Sequence, residues 1–192
     1  IVFGCHGGES SFDLKFVHNA LIHLVNERKD IVFVFLNINK FCDHPRIKFL
    51  KGTSKETLKK KFLNTCDAMI YGRSLGESFG LACGEFAVLN KTIISYKFNR
   101  HRSHKSNMRK DFFLEYHSYR SLRKIILNFK KDHKKISRND YKNCEPKKIM
   151  KLFKKFFLEN NSVPKITIFD HLMNNYNHLI MSYLYLRHKI YN

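Results

Sequence analysis

Along the first half of the chain, apolar residues switch repeatedly between unbroken runs and helical spacing. Residues 1–4, IVFG, are apolar up to a glycine and predict a strand. From Asp13 to Arg28, Leu14, Val17, Leu21, Leu24 and Val25 recur at helical intervals. Ile31 to Leu36, IVFVFL, is a continuous run of β-branched and aromatic residues. Such a run suits a strand covered on both faces. RIKFL, residues 46–50, predicts a short strand closed by Gly52. Ser54 to Thr65 predicts a helix with its stripe at Leu58, Phe62 and Leu63, and Ser54 is the expected cap. AMIYG (68–72) and Thr92 to Tyr96 predict two more strands, with an apolar helix from about Phe79 to Leu89 between them. FFLEY (112–116) reads as a last strand and SYRSLRKIILNF (118–129) as the helix after it.

Strands alternating with helices predict βαβ units and a parallel sheet covered by helices. The fold class expected is therefore α/β, a Rossmann-like doubly wound parallel sheet over residues 1–130. Residues 131–192 are expected to form a basic linker and a C-terminal helical extension. Within it, KIMKLFKKFFLEN (148–160) alternates Lys with apolar residues at helical spacing and is expected to pack on the domain; the other reading is a basic helix on a membrane surface. Residues 171–192 are expected to form a terminal helix. Ile1 already stands in a strand-like run, so further sequence is expected before it.

The formal net charge is +20, from 36 basic and 16 acidic residues. It is concentrated between Lys97 and Lys155, where 20 Lys/Arg face five Asp/Glu. Solvated lysine-rich faces account for that excess; the functional reading is an anionic partner, either nucleic acid, lipid or phosphate. The five cysteines are odd in number, far apart and contain no C-x-x-C pair. That argues against a disulfide framework and against a structural zinc site, and a reducing, cytoplasmic compartment is expected. No G-x-G-x-x-G, Walker or G-x-S-x-G motif is present. The 11 histidines, the His101–His104 pair included, are expected at the surface.

The candidate chemistry lies in GESFGLACGEFAVLN, Gly76 to Asn90. Glu85 is the single acid inside an apolar helix, eight positions after Glu77. A helix apolar nearly all round is buried, and a buried carboxylate needs donors. A nearby Lys or Arg would supply them, and so would paired hydroxyls of a ligand such as ribose. The amides of Ser78, Phe79, Gly80 and Leu81 are expected to open the helix N-terminus, which suits anions. In open parallel sheets, ligands lie outside the carboxyl ends of the strands.

Glu77-x7-Glu85 resembles the E-x7-E motif of retaining GT-B glycosyltransferases of group 1 (family four). CDAMIYGRSLGESFGLACGEFAVLNKTIISY resembles that family's strand, turn, helix and strand. IVFGCHGGESSFDLKFVHNAL resembles its Gly-rich first loop and following helix, and HPRIKFLKGT its strand leading to the nucleobase. The resemblance covers residues 1–96 and fades after Phe129. It implies the C-terminal, donor-binding half of a two-domain enzyme, with the acceptor domain outside this chain. Glu77 would be the catalytic residue, contacting hydroxyls of the transferred sugar, and Glu85 would hold the ribose hydroxyls. Gly7 and Gly8 would let the first loop approach the phosphates; Ser78, Phe79, Gly80 and Leu81 would meet sugar and diphosphate; Leu50, Gly52 and Thr53 would lie near the base. The partner implied is a nucleotide-diphosphate sugar, with no divalent metal and no cofactor.

The sequence departs from the family where basic residues commonly clamp the diphosphate: it reads Cys5-His6 and then Ser10-Ser11. Arg73 is the expected replacement, ahead of Arg100, Arg102 and His104. The alternative function is a catalytically silent basic module that binds nucleic acid or anionic membrane through residues 97–155.

Overall fold

The computed structural model describes residues 1–106, 108, 112–131, 141–159, 176, 179, 182 and 183. The terminal helix expected over 171–192 falls almost wholly outside them. The first half follows the predicted order: β1 (Val2–His6), α1 (Lys15–Glu27), β2 (Val32–Leu36), β3 (Ile47–Leu50), α2 (Glu56–Thr65) and β4 (Ala68–Tyr71). Then come β5 (Gly76–Glu77), α3 (Leu81–Val88), β6 (Thr92–Tyr96), β7 (His101–Arg102) and α4 (Ser103–Ser106). β8 (Phe113–Tyr116), α5 (Tyr119–Asn128) and α6 (Pro146–Phe153) complete the described strands and α-helices.

Six of the strands form one sheet in the order β3-β2-β1-β4-β6-β8, and every pairing is parallel. This is the doubly wound order in which the chain reverses direction between β1 and β4. The unbroken apolar runs become its centre: Phe3, Phe33, Phe35, Met69, Ile70, Ile93 and Ile94 are fully buried. Val17, Leu21, Leu24 and Val25 cover the sheet from α1, as their spacing predicts. α5 is closed by a capping box in which Ser118 and Ser121 satisfy each other's backbone amides.

Several local expectations are corrected. Ser54 does not cap α2: the N-cap is Lys55, whose amide is instead accepted by the Thr53 hydroxyl at 3.1 Å. α3 starts at Leu81 rather than near Phe79, because Gly80 ahead of it takes a left-handed conformation with φ of 84°. α3 is also not buried all round. Cys83, Gly84, Phe86 and Ala87 face inward, while Leu81 and Val88 are exposed. Its uniformly apolar composition concealed that asymmetry.

β5 and β7 form a separate parallel pair outside the main sheet, which the sequence reading missed. It holds the loop after β4 against the segment after β6. Tyr141 reaches back from beyond α5 onto the start of α3. Its hydroxyl donates to the carbonyls of Phe79 and Gly80 at 3.3 and 3.4 Å. The residues from Glu145 to Glu159 are all exposed, so residues 148–159 of the helix expected to pack on the domain do not do so.

Candidate functional site

The carboxyl ends of β1, β2 and β3 open into a cleft of about 490 Å³. His6, Gly7 and Glu9 line one wall, Leu36 and Asn37 the floor, and Lys51, Gly52, Thr53 and Lys59 the far wall. Asn37 ends β2 with φ of 59°, and its side-chain amide donates to the Gly7 carbonyl at 2.7 Å. The first loop is thereby fixed to the end of the neighbouring strand.

Glycines in the first loop divide by what surrounds them. A Cβ on Gly7 would stand 2.4 Å from the Ser11 hydroxyl, which would have to swing aside. A Cβ on Gly8 would meet nothing within 4 Å. The fold does not need Gly8 to lack a side chain, whereas a ligand approaching that backbone would.

Glu85 stands at the rim of this cleft, its side chain 34% exposed. Oε1 accepts a hydrogen bond from Lys59 Nζ at 2.5 Å. Oε2 lies 2.8 Å from His6 Nε2, a close polar contact without a well-aligned hydrogen bond, so both of those buried atoms lack one. Burial pushes the Glu85 carboxyl up, but His6 and Lys59 outweigh it and hold it below the ordinary carboxylate range. The protein thus supplies the acid with a cation, and it does so at a cleft rather than in the core.

Glu77 builds a second cluster on the other side of the sheet's reversal. Tyr71 ends β4, and its hydroxyl donates to Glu77 Oε1 at 3.0 Å. Arg73 Nη1 donates to the same oxygen at 2.8 Å. Arg73 therefore neutralises Glu77 and is not among the residues that line the cleft. Asp13 ties the start of α1 to the loop after β4: its carboxylate accepts from the Ser74 amide at 2.7 Å and the Ser74 hydroxyl at 2.5 Å.

Of the predicted residues, Gly7, Gly52 and Thr53 line the cleft, and Glu85 borders it through Lys59 and His6. Gly8 adjoins it. Leu50, Ser78, Phe79, Gly80 and Leu81 are not among its lining residues. The open amides at the start of α3 are those of Leu81, Ala82 and Cys83, since the Gly84 amide already bonds the Gly80 carbonyl at 2.8 Å. The amides of Ser78 and Phe79 lie before the helix. His104 is buried, not at the surface as expected. It packs beneath Gly80 and beside the rings of Tyr71 and Phe113, and burial lowers its pKa.

The sequence reading missed Asn37, Lys51 and Lys59, and treated His6 only as a departure. A signal existed for Lys59: the buried Phe62 and Leu63 stand three and four positions after it, on one helix face. Lys60 and Lys61 do not share that placement.

No family model and no curated protein matches the sequence. Solved structures do match. The C-terminal domain of LpcC, a group 1 glycosyl transferase family protein from Francisella tularensis, superposes with a TM-score of 0.55 at 15% identity, over 73% of this chain and 81% of that one. This chain has the fold of a GT-B C-terminal domain. TarM matches this GT-B-type domain with a TM-score of 0.53 at 13% identity, over 67% of this chain and 28% of its own. HepE from Anabaena, solved with UDP and glucose, matches with a TM-score of 0.51 at 14% identity, over 66% of this chain. The GT-B-type domain spans 37% of the length of HepE.

Proposed function

We propose that the chain is the donor-binding domain of a retaining glycosyltransferase that uses a nucleotide-diphosphate sugar. The observation that carries this reading is the position of Glu85, an ionised carboxylate at the rim of the cleft beyond β1, β2 and β3. The nucleoside enters that cleft, with its base toward Gly52 and Thr53 and its ribose hydroxyls donating to Glu85. Lys59 and His6 hold the acid ionised and oriented until the hydroxyls arrive. The diphosphate lies over Gly8 and the open amides of α3. There, backbone donors and the nearby cations Lys51 and Lys59 stabilise the charge on the departing diphosphate. These side chains take over the task for which the family resemblance expects basic residues at Cys5-His6 and Ser10-Ser11.

Glu77, held by Tyr71 and Arg73, contacts the hydroxyls of the transferred sugar. The bond from the anomeric carbon to the diphosphate breaks, the acceptor oxygen joins on the same face, and its proton passes to the departing diphosphate. The acceptor itself is held by a second domain outside this chain. No divalent metal is assigned a role, and the chemistry belongs in the cytoplasm.

Calorimetry with UDP, GDP and their sugars on the full-length protein tests the assignment. Binding of one nucleotide that Glu85→Ala abolishes supports it. Absence of binding by any of them, or binding indifferent to Glu85→Ala, overturns it.

A further inference from the structure

α6 and the π turn that continues it, Lys154–Leu158, belong to neither the cleft nor the core. An amphipathic helix in a globular domain ordinarily lays its apolar face on that domain. Here Ile149, Met150, Leu152, Phe153, Phe156 and Phe157 occupy one side of the helix and are 45–74% exposed. The rings of Phe153 and Phe157 stack at 5.0 Å and make a continuous aromatic ridge. Lys147, Lys148, Lys151, Lys154 and Lys155 take the opposite side and flank the apolar one.

Acids appear only at the two ends. Glu145 meets Lys148 at 3.8 Å, and Glu159 meets Lys154 at 3.4 Å. Between them the strip is apolar and cationic throughout. Nucleic acid would complement the lysines and leave six large apolar side chains in water. A purely apolar protein groove would cover the apolar side and leave the lysines unanswered. A surface that is apolar inside and negatively charged at its boundary answers both, and lysine stems reach up to such a boundary while the ring face sinks in. The +20 net charge of the chain draws it toward the same surface from a distance.

We propose that α6 and its π turn form a docking face for an anionic lipid bilayer. The helix lies in the plane of the membrane with its phenylalanines among the acyl chains. No helix among the described residues is long and apolar enough to cross a membrane, so the contact is peripheral. It does not depend on the nucleotide cleft, and the transferase reading can fail without it.

Flotation of the full chain with vesicles tests the contact. Vesicles of phosphatidylcholine with phosphatidylglycerol are expected to bind at least about tenfold more protein than phosphatidylcholine alone, and high salt should release it. Phe153→Ser with Phe157→Ser, and separately Lys151→Glu with Lys155→Glu, should each lower binding about tenfold. Because these side chains are exposed, the melting temperature should not change. Hydrogen exchange of the unaltered chain supplies a measure free of mutation: protection over residues 146–158 should increase with anionic vesicles and not with neutral ones. Equal binding to both vesicles, or unchanged binding by the lysine variant, overturns the proposal. A dimer dispersed by the phenylalanine variant would instead assign the face to a protein partner and overturn it too.

Discussion

Lys59 Nζ lies 2.5 Å from Glu85 Oε1 and joins α2 to α3 at the mouth of the cleft. The two side chains are each about one-third exposed, so water screens the pair and its share of stability is small. Lys59→Met is expected to cost at most about 1 kcal/mol in urea denaturation. Its effect on nucleotide affinity should be larger, because it removes a cation from the cleft wall. A calorimetric affinity equal to that of the unaltered protein would remove Lys59 from the site.

Glu85→Gln keeps the shape of the side chain and removes its charge. Hydrogen bonds to a charged group are worth about 1.5–3 kcal/mol, so nucleoside diphosphate affinity should fall between about tenfold and a hundredfold. Free phosphate, which lacks ribose, should bind the variant as it binds the unaltered protein. Titration with both ligands separates a ribose contact from a general loss of the site.

Gly80 and Gly8 should respond in opposite ways to alanine. Gly80 has φ of 84°, and an added Cβ would stand 2.5 Å from His104 Cβ. Strain and crowding together should lower stability by about 3 kcal/mol, read from the urea midpoint. Gly8→Ala meets open space and should leave the midpoint unchanged while weakening diphosphate binding. Retained affinity would show that the first loop does not approach the ligand.

Burial lowers the pKa of His104 below its ordinary 6.5, and burial lowers His18 in the same direction. The unfolded chain therefore takes up these protons at a higher pH than the folded one. Stability from this source is fully present above about 6.5 and declines as pH falls toward the folded values. His104→Gln should flatten that decline. Urea midpoints at several pH values between about 7.5 and 5 measure the slope, and an unchanged slope in the variant would exclude His104 as its source.

Thiol reactivity should divide the five cysteines by burial. Cys5, Cys66 and Cys83 are buried, and Cys42 and Cys144 are partly exposed. Burial pushes the Cys66 thiol up to about 12, and pushes Cys5 and Cys83 up as well. Thiolate is the reactive form, so an aromatic disulfide reagent should titrate Cys42 and Cys144 in the folded protein and all five only after denaturation. Fast reaction of Cys5 would mean that the first strand opens readily.

The alternation of apolar runs and helical stripes was enough to place every strand of the main sheet, because periodicity and burial are local consequences of side-chain pattern. Val17, Leu21 and Leu24 face the sheet for that reason, and Ile93 and Ile94 lie inside it. The acid pair Glu77 and Glu85 was visible because charge stands out against an apolar background. What surrounds each acid was not, since partners distant in sequence are chosen by tertiary packing. Lys59 is one lysine of three in a row, and only the approach of α2 to α3 singles it out. His104 looked like a surface residue in a basic loop, until the left-handed turn at Gly80 and the β5–β7 pair folded it beneath the site. Composition alone could show neither which face of α3 meets solvent nor that α6 meets none of the core. Both are settled by where the sheet ends, a property of the whole chain rather than of any segment.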